Sequence, residues 1–175
     1  MLDLGCGDAR AAARLAVHEP DALVIGVDAN LDAAARVLRR ARRAPEKGGL
    51  PNLAFVRAVA DQLPSELDGR VDELRIELPW GSLLEGLLAG EAALVGAIGR
   101  VLAPGGHARV VLNAGALPAG RTADQAAQLL GRTLAAAALD DVRTDATAVW
   151  PTTGWGKRLA GRRPLSVVVA EARKG

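Results

Sequence analysis

The stretch LDLGCGDAR at residues 2–10 constrains this chain most: a short apolar run, two glycines one residue apart, then a helical segment. Glycine has no Cβ, so such a loop lets backbone amides approach a ligand closely at a helix N-terminus. The remaining chain repeats the same grammar. Apolar runs at residues 22–28, 53–59, 71–78, 107–113, 141–149 and 165–172 alternate with helical stretches at 9–18, 30–43, 91–102 and 122–139. Asn30 is placed to cap the second helix, and Ser82 with Glu85 reads as a capping box that starts another helix just after Trp80 and Gly81. Strands separated by helices imply a mostly parallel sheet covered on both faces.

Half of the 175 residues are hydrophobic, so one ordinary domain spanning residues 1–175 is expected, with a core of useful size. No charge-free apolar run is long enough for a membrane span, and no basic-then-apolar leader opens the chain. The single cysteine, Cys6, cannot form an internal disulfide, which fits a reducing cytoplasm. A monomer is expected. Net charge is only +2, too mild to establish a nucleic-acid partner by itself. Neither His18 nor His107 has metal-ligand neighbours in sequence, so no metal is expected, and Cys6 reads as structural or as loop lining.

Aromatic residues are nearly absent, with three Trp, one Phe and no Tyr. Two of the tryptophans nevertheless sit in Gly-rich settings, Trp80 in ELPWGSLL (77–84) and Trp155 in TTGWGKRLAGRR (152–163). Tryptophans placed this way suggest a clamp for a flat ligand such as a nucleobase; the alternative is packing beneath loops. Trp150, at the end of an apolar run, reads as core or rim packing.

The cofactor half is read from spacing. Asp28 ends the second apolar run about twenty residues beyond the glycine loop, the usual place for a carboxylate that accepts ribose hydroxyls. A glycine loop alone could equally belong to a dinucleotide enzyme. Here Asp3 precedes the first glycine, Arg10 stands where a third would be, and LAPGGHARVVLN follows a later helix. These features resemble class I S-adenosylmethionine-dependent methyltransferases. In that fold Ala60-Asp61, after the third strand, faces the cofactor adenine, and Asp61 could accept from the exocyclic amine or simply cap a helix.

Four further motifs, GGLPNL (48–53), ADQLP (60–64), ELPWGSLL and GWGKRL (154–159), occur in order behind that loop. Together they resemble the aminoglycoside-resistance 16S rRNA (adenine-N1)-methyltransferases across nearly the whole chain. The resemblance implies a Rossmann-like sheet of seven strands, mostly parallel with an antiparallel last strand. It implies methyl transfer from S-adenosylmethionine to N1 of a decoding-site adenine in the small ribosomal subunit, for resistance or as housekeeping. Trp80 and Trp155 would enclose the flipped adenine as the catalytic pair. Asp3, Gly5, Asp28 and Asp61 would bind the cofactor, with Cys6, Gly7 and Ala60 beside them, and Lys157, Arg158, Arg162 and Arg163 would meet rRNA. Family members carry a segment before the first strand, whereas this sequence starts within that strand: either the start is set too late or the segment is missing. The stretch 113–155 looks shorter than the family's, and Gly154 stands where a small hydroxyl residue is common.

Arg36, Arg39, Arg40 and Arg43 recur at i, i+3, i+4 and i+7, with Arg42 and Lys47 adjacent. Such a stripe is either a solvated helix face or a phosphate-docking surface, and the absence of an intervening acid favours docking on rRNA. Two other functions fit the same fold: a small-molecule methyltransferase, or a non-catalytic rRNA-binding relative.

Overall fold

Alternating strands and helices close into one twisted sheet. The structure, a computed structural model, describes residues 1–150 and 165–175. Its elements run β1 (Leu2–Leu4), α1 (Arg10–His18), β2 (Val24–Asp28), α2 (Ala35–Ala41), β3 (Leu53–Arg57), β4 (Val71–Glu77) and α3 (Gly81–Ala89). They continue as α4 (Ala92–Val101), β5 (Leu102–Asn113), α5 (Ala123–Ala136), β6 (Leu139–Asp145), β7 (Val149–Trp150) and β8 (Leu165–Lys174). The strand order is β3-β2-β1-β4-β5-β8-β6, with the two-residue β7 added on β8. Strands β1 to β5 pair in parallel, and β8 runs antiparallel to β5, β6 and β7. This is the Rossmann-like class I methyltransferase sheet, seven strands with an antiparallel last one. The order reverses between β1 and β4, which opens a crevice at their carboxyl ends.

Period-two alternation decides which residues meet which helices. Leu2, Leu4, Val27, Leu74, Ile76, Val110, Leu112 and Val168 share one core with Leu87 of α3, Ile98 of α4, and Leu130 and Leu134 of α5. Burying one such leucine side chain contributes about 1.5–3 kcal/mol, so this face carries most of the stability. On the opposite face, Ala12, Ala13 and Ala16 of α1 lie against Val24, Leu50 and Leu53. The GGLPNL motif has a structural use here. Asn52 Nδ2 donates to the carbonyls of Ala16, Glu19 and Ala22 at 2.9–3.0 Å, tying the end of α1 to the start of β2. Away from α1 that face is polar, a cross-strand row of Asp3, Arg75, Arg109 and Glu171.

Several expected boundaries move. The capping box at Ser82 and Glu85 does not form: the N-cap of α3 is Trp80, in extended backbone, and Ser82 already lies inside the helix. A complete box forms instead at α5, where Thr122 and Gln125 satisfy each other's backbone amides at 3.2 and 3.0 Å. The helix expected over 30–43 contracts to α2, because Asn30 caps only a turn (Asp32 N to Asn30 Oδ1, 2.9 Å) and Leu50 N takes the Ala41 carbonyl at the other end. The run 141–149 breaks at Asp145, whose carboxylate accepts from Thr147 N and Oγ1 at 2.7 and 2.8 Å. Among the described residues no single helix is long and apolar enough to cross a membrane.

Two glycines of α4 give a test of this packing with opposite signs. A Cβ at Gly99 would stand 2.4 Å from the Ala137 carbonyl oxygen, a backbone atom that cannot rotate away, whereas at Gly96 it would meet nothing within 4 Å. Alanine is favoured over glycine in helices by about 0.8–1.0 kcal/mol. Gly96→Ala should therefore raise the melting temperature and Gly99→Ala should lower it, as read by thermal unfolding; a rise in both would contradict the α4–α5 contact.

Candidate active site at the carboxyl edge of the sheet

The glycine loop is held by the strand beside it. Gly5 N and Cys6 N both donate to the Val27 carbonyl (2.8 and 3.0 Å), and Gly7 N donates to Asp28 Oδ2 at 2.9 Å. Asp28 Oδ1 accepts from Asn30 N at 2.9 Å, so one carboxylate fixes the loops after both β1 and β2 and keeps lone pairs free for a ligand. Gly5 and Gly7 have φ of +78° and +52°, a region glycine enters without strain. Gly5 has a second reason to lack a side chain, because a Cβ there would come within 2.8 Å of Leu83 Cδ2. That contact links the first loop to the PWGSLL motif across the switch point.

Between these loops lies a cleft of about 610 Å³. Gly5, Asp28, Ala60, Asp61 and Trp80 line it, together with Ser82, Leu83 and Glu91. Its volume falls in the range typical of small-ligand sites. Asp61 sits in a turn and starts no helix, so its expected alternative as an N-cap is not realised. Glu91 enters from the N-cap of α4, a placement that no spacing in the sequence announces. A larger cleft, about 1330 Å³, opens at the other end of the strands beside Met1, Val71 and Arg173. Ligands of open α/β sheets bind at the carboxyl edge, so position favours the smaller one.

Three expected cofactor residues take other places. Gly7 lies behind Gly5, outside the cleft wall. Cys6 is buried among Ala9, Leu31 and Ala34, with its Sγ near Gly26, and burial pushes its thiol far above the usual range, with Asp3 and Asp28 adding to the effect. Asp3 does not line the cleft and sits in the polar row beside Arg75. It is buried, and its Oδ2 has no hydrogen-bond partner among the described residues. Burial, then the charge of Glu77, raises its carboxyl to about 7; Arg75 and the Ala12 backbone amide oppose the shift. Glu77 is raised as well, chiefly by burial, against Arg75, Arg109 and Arg14.

Trp80 is 82 % exposed at the cleft rim. The backbone displays it deliberately: Leu78 before it and Gly81 after it are left-handed (φ +54° and +58°), and Trp80 itself is extended. A left-handed leucine costs roughly 1–2 kcal/mol, so something must hold it there. Of the basic stripe, Arg36, Arg39 and Arg40 lie on α2, while Arg43 falls beyond the C-cap Arg42. All of these and Lys47 are exposed, and Arg40 Nε is engaged by the Gly48 carbonyl at 3.1 Å. Trp155, Lys157, Arg158, Arg162 and Arg163 lie outside the described residues. No group of three potential metal ligands occurs among the described residues.

Residues 1–174 match the family model of the 16S rRNA (adenine(1408)-N(1))-methyltransferases. The chain belongs to this family. The methyltransferase of that name from Streptoalloteichus tenebrarius is 38% identical over 113 residues, covering 65% of this chain and 52% of the relative. The one from Escherichia coli is 39% identical over 84 residues, covering 48% and 38%. The chain thus spans about half the length of the curated relatives it matches. Among solved structures, a mutant of the Catenulisporales acidiphilia methyltransferase with cosubstrate SAM superposes with TM-score 0.83 at 30% identity, over 99% of this chain and 84% of that one. The aminoglycoside resistance methyltransferase NpmB1 gives 0.77 at 34%, over 99% and 86%.

The raised carboxyl of Asp3 gives this methyltransferase relative a pH signature. An unfolded chain ionises Asp3 near 3.8, whereas the native chain keeps the proton up to about 7. The native state therefore binds more protons in that window, so stability is greatest below it and falls as pH rises to about 7. Asp3→Asn should leave the melting temperature nearly unchanged below about pH 4 and raise it above that of the native chain at neutral pH and beyond. Parallel melting curves across the pH range would show an ionised, well-compensated Asp3 instead.

Proposed function

We propose that this chain, as one methyltransferase domain over residues 1–175, methylates N1 of a decoding-site adenine of 16S rRNA in the small ribosomal subunit, acting in the cytoplasm as a monomer without a metal. The observation that carries this reading is Trp80, an 82 %-exposed indole at the rim of the cleft in a chain almost devoid of aromatics. A small substrate would be enclosed by the cleft itself. An aromatic presented outward suits a base swung out of a large, folded RNA.

S-adenosylmethionine suits the cleft: Asp28 would accept its ribose hydroxyls, the Gly5 backbone would lie beside it, and Ala60 with Asp61 would meet its adenine. Bound there, it supplies an electrophilic sulfonium methyl. The acceptor nitrogen of adenine carries its own in-plane lone pair, so the protein needs no general base, and no histidine or lysine lines the described cleft. The work left to the residues is orientation. Trp80 would hold the base by stacking, worth about 1–3 kcal/mol per base, with Trp155 as the second plane. The exposed arginines of α2, with Lys47, would meet rRNA phosphates, and Lys157, Arg158, Arg162 and Arg163 would add to them. Methylation of the decoding site by a chain of this family would confer aminoglycoside resistance.

One set of measurements separates the two halves of the site. With purified small subunits and labelled cofactor, the native protein should place its methyl group at one decoding-site adenine. Trp80→Ala should cut the rate by at least about tenfold, the equivalent of a stacking contact, while calorimetric cofactor affinity stays native. Asp28→Ala should do the reverse in binding, weakening cofactor by roughly 1.5–3 kcal/mol for a lost charge-assisted hydrogen bond. Methylation of small molecules but not of intact subunits would replace this reading with the small-molecule one; no cofactor binding at all would favour a non-catalytic rRNA-binding relative.

Reversing the charges of Arg36 and Arg39 should weaken subunit binding and flatten its salt dependence, with cofactor affinity unaltered. Identical binding isotherms across a salt series would leave the stripe a solvated helix face.

A further inference from the structure

The left-handed leucine before Trp80 needs a restraint, and the fold provides one separate from the main core. The Leu78 side chain is buried in a small cluster with Val111, Leu165 and Val167, against which Ala148 packs. Its amide donates to the Val111 carbonyl at 2.8 Å, so both backbone and side chain are seized at the end of β4. Pro79-Trp80 then leaves the sheet between two left-handed residues, Leu78 and Gly81. Proline fixes its own φ, so few torsions remain between the buried leucine and the exposed indole. The direction of the indole is thereby referred to the cluster.

The same cluster is built from the strand pair that brackets the second tryptophan in sequence. Leu165 begins β8 and pairs with Trp150, Ser166 pairs with Val149, and Val167 N donates to the Ala148 carbonyl at 3.0 Å. The segment 151–164 starts and ends on this pair. One small apolar cluster thus holds Leu78, at the base of the Trp80 turn, together with Leu165 and Val167 at the start of β8 and Ala148 just before β7.

We infer that Leu78 is a positioning residue for the methyl-transfer site: anchored among Val111, Leu165 and Val167, it sets Trp80 at a fixed place relative to the β7–β8 pair. The inference rests on the base-stacking reading of Trp80 and deepens it. Leu78 touches neither base nor cofactor. It acts by fixing an orientation in advance, which lowers the entropy lost when the base is gripped.

The test has two arms. In the activity arm, Leu78→Ala should lower kcat on small subunits at least tenfold with cofactor affinity within twofold of native, and Leu165→Ala should do the same. The double variant should be no worse than either single one, because the two residues serve one cluster. Leu78→Met, which refills the volume, should restore most of kcat. Leu130→Ala, in the main core and remote from the cluster, controls for simple destabilisation and should keep kcat when assayed well below its melting temperature. The spectroscopic arm does not depend on activity. With Trp150→Phe and Trp155→Phe, Trp80 is the sole tryptophan; adding Leu78→Ala should lower its fluorescence anisotropy, and adding Leu78→Met should not. Native kcat in Leu78→Ala beside a crippled Trp80→Ala would overturn the anchoring role alone. Native activity in Trp80→Ala would overturn the stacking reading, and unchanged anisotropy in Leu78→Ala would overturn the anchoring independently of it.

Discussion

The hydrogen bonds joining the first loop to the end of β2 are the constraint on which the rest of the site depends. Gly5 N and Cys6 N converge on the Val27 carbonyl, and Gly7 N reaches the Asp28 carboxylate. A loop with two left-handed glycines has many conformations open to it, and these three bonds leave essentially one. The same carboxylate anchors the turn after β2 through Asn30 N. A residue that holds two loops apart at a fixed spacing, while keeping lone pairs turned to the cleft, is both scaffold and ligand group. Stability and binding therefore cannot be fully separated at Asp28.

The two faces of the sheet divide the remaining labour. Leucine, isoleucine and valine on one face pack against α3, α4 and α5 and supply the stability. On the other, the row Asp3, Arg75, Arg109 and Glu171 carries partly buried charge, with Arg75 Nε 2.6 Å from Glu73 and Arg109 Nε 3.0 Å from Glu171. Such pairs roughly break even against their desolvation, so this charged row contributes little to folding. Asp3 is the member left without full compensation, which is why its proton is held so high. The cost is tolerated beside a cleft whose other wall is supported by a large apolar core.

The alternation of strands and helices and the place of Asp28 beside the first loop were legible because each rests on local grammar: an apolar run, a glycine turn, a carboxylate at a strand end. Ala60 and Asp61 were placed by the family resemblance, and the strand order is a tertiary fact that no local pattern carries. The PWGSLL motif likewise announced an aromatic at the cleft. What stayed hidden depended on side-chain direction. Period-two alternation on a three-residue strand gives Asp3 to one face or the other, and only the folded sheet shows it in the polar row beside Arg75 and outside the cleft lining. Asn52 looks like a turn residue, yet it closes three carbonyls between the end of α1 and the start of β2. Glu91 reaches the cleft through the bend between α3 and α4, a tertiary fact with no sequence period. The Ser82 box failed because the tryptophan took the cap, and with Gly81 opening the helix the serine lies two residues too deep.

The energetics of the aromatic rim follow from these same divisions. A large exposed indole gains nothing from the hydrophobic effect in the free protein, and a left-handed leucine before a proline is conformationally unfavourable. A chain with a nearly aromatic-free core has nonetheless kept both, at the one edge where the parallel strands end. Their cost is carried by Leu78, whose burial among Val111, Leu165 and Val167 offsets the strain of its backbone. The exposed ring is repaid only when a flat surface covers it. Pre-setting that ring on the sheet's own framework means the ordering is accomplished during folding, so binding a base need not supply it. The cofactor cleft is organised the same way, through Asp28 and the first loop. Both halves thus derive their precision from the ends of parallel strands, one through a carboxylate and backbone amides, the other through an apolar anchor.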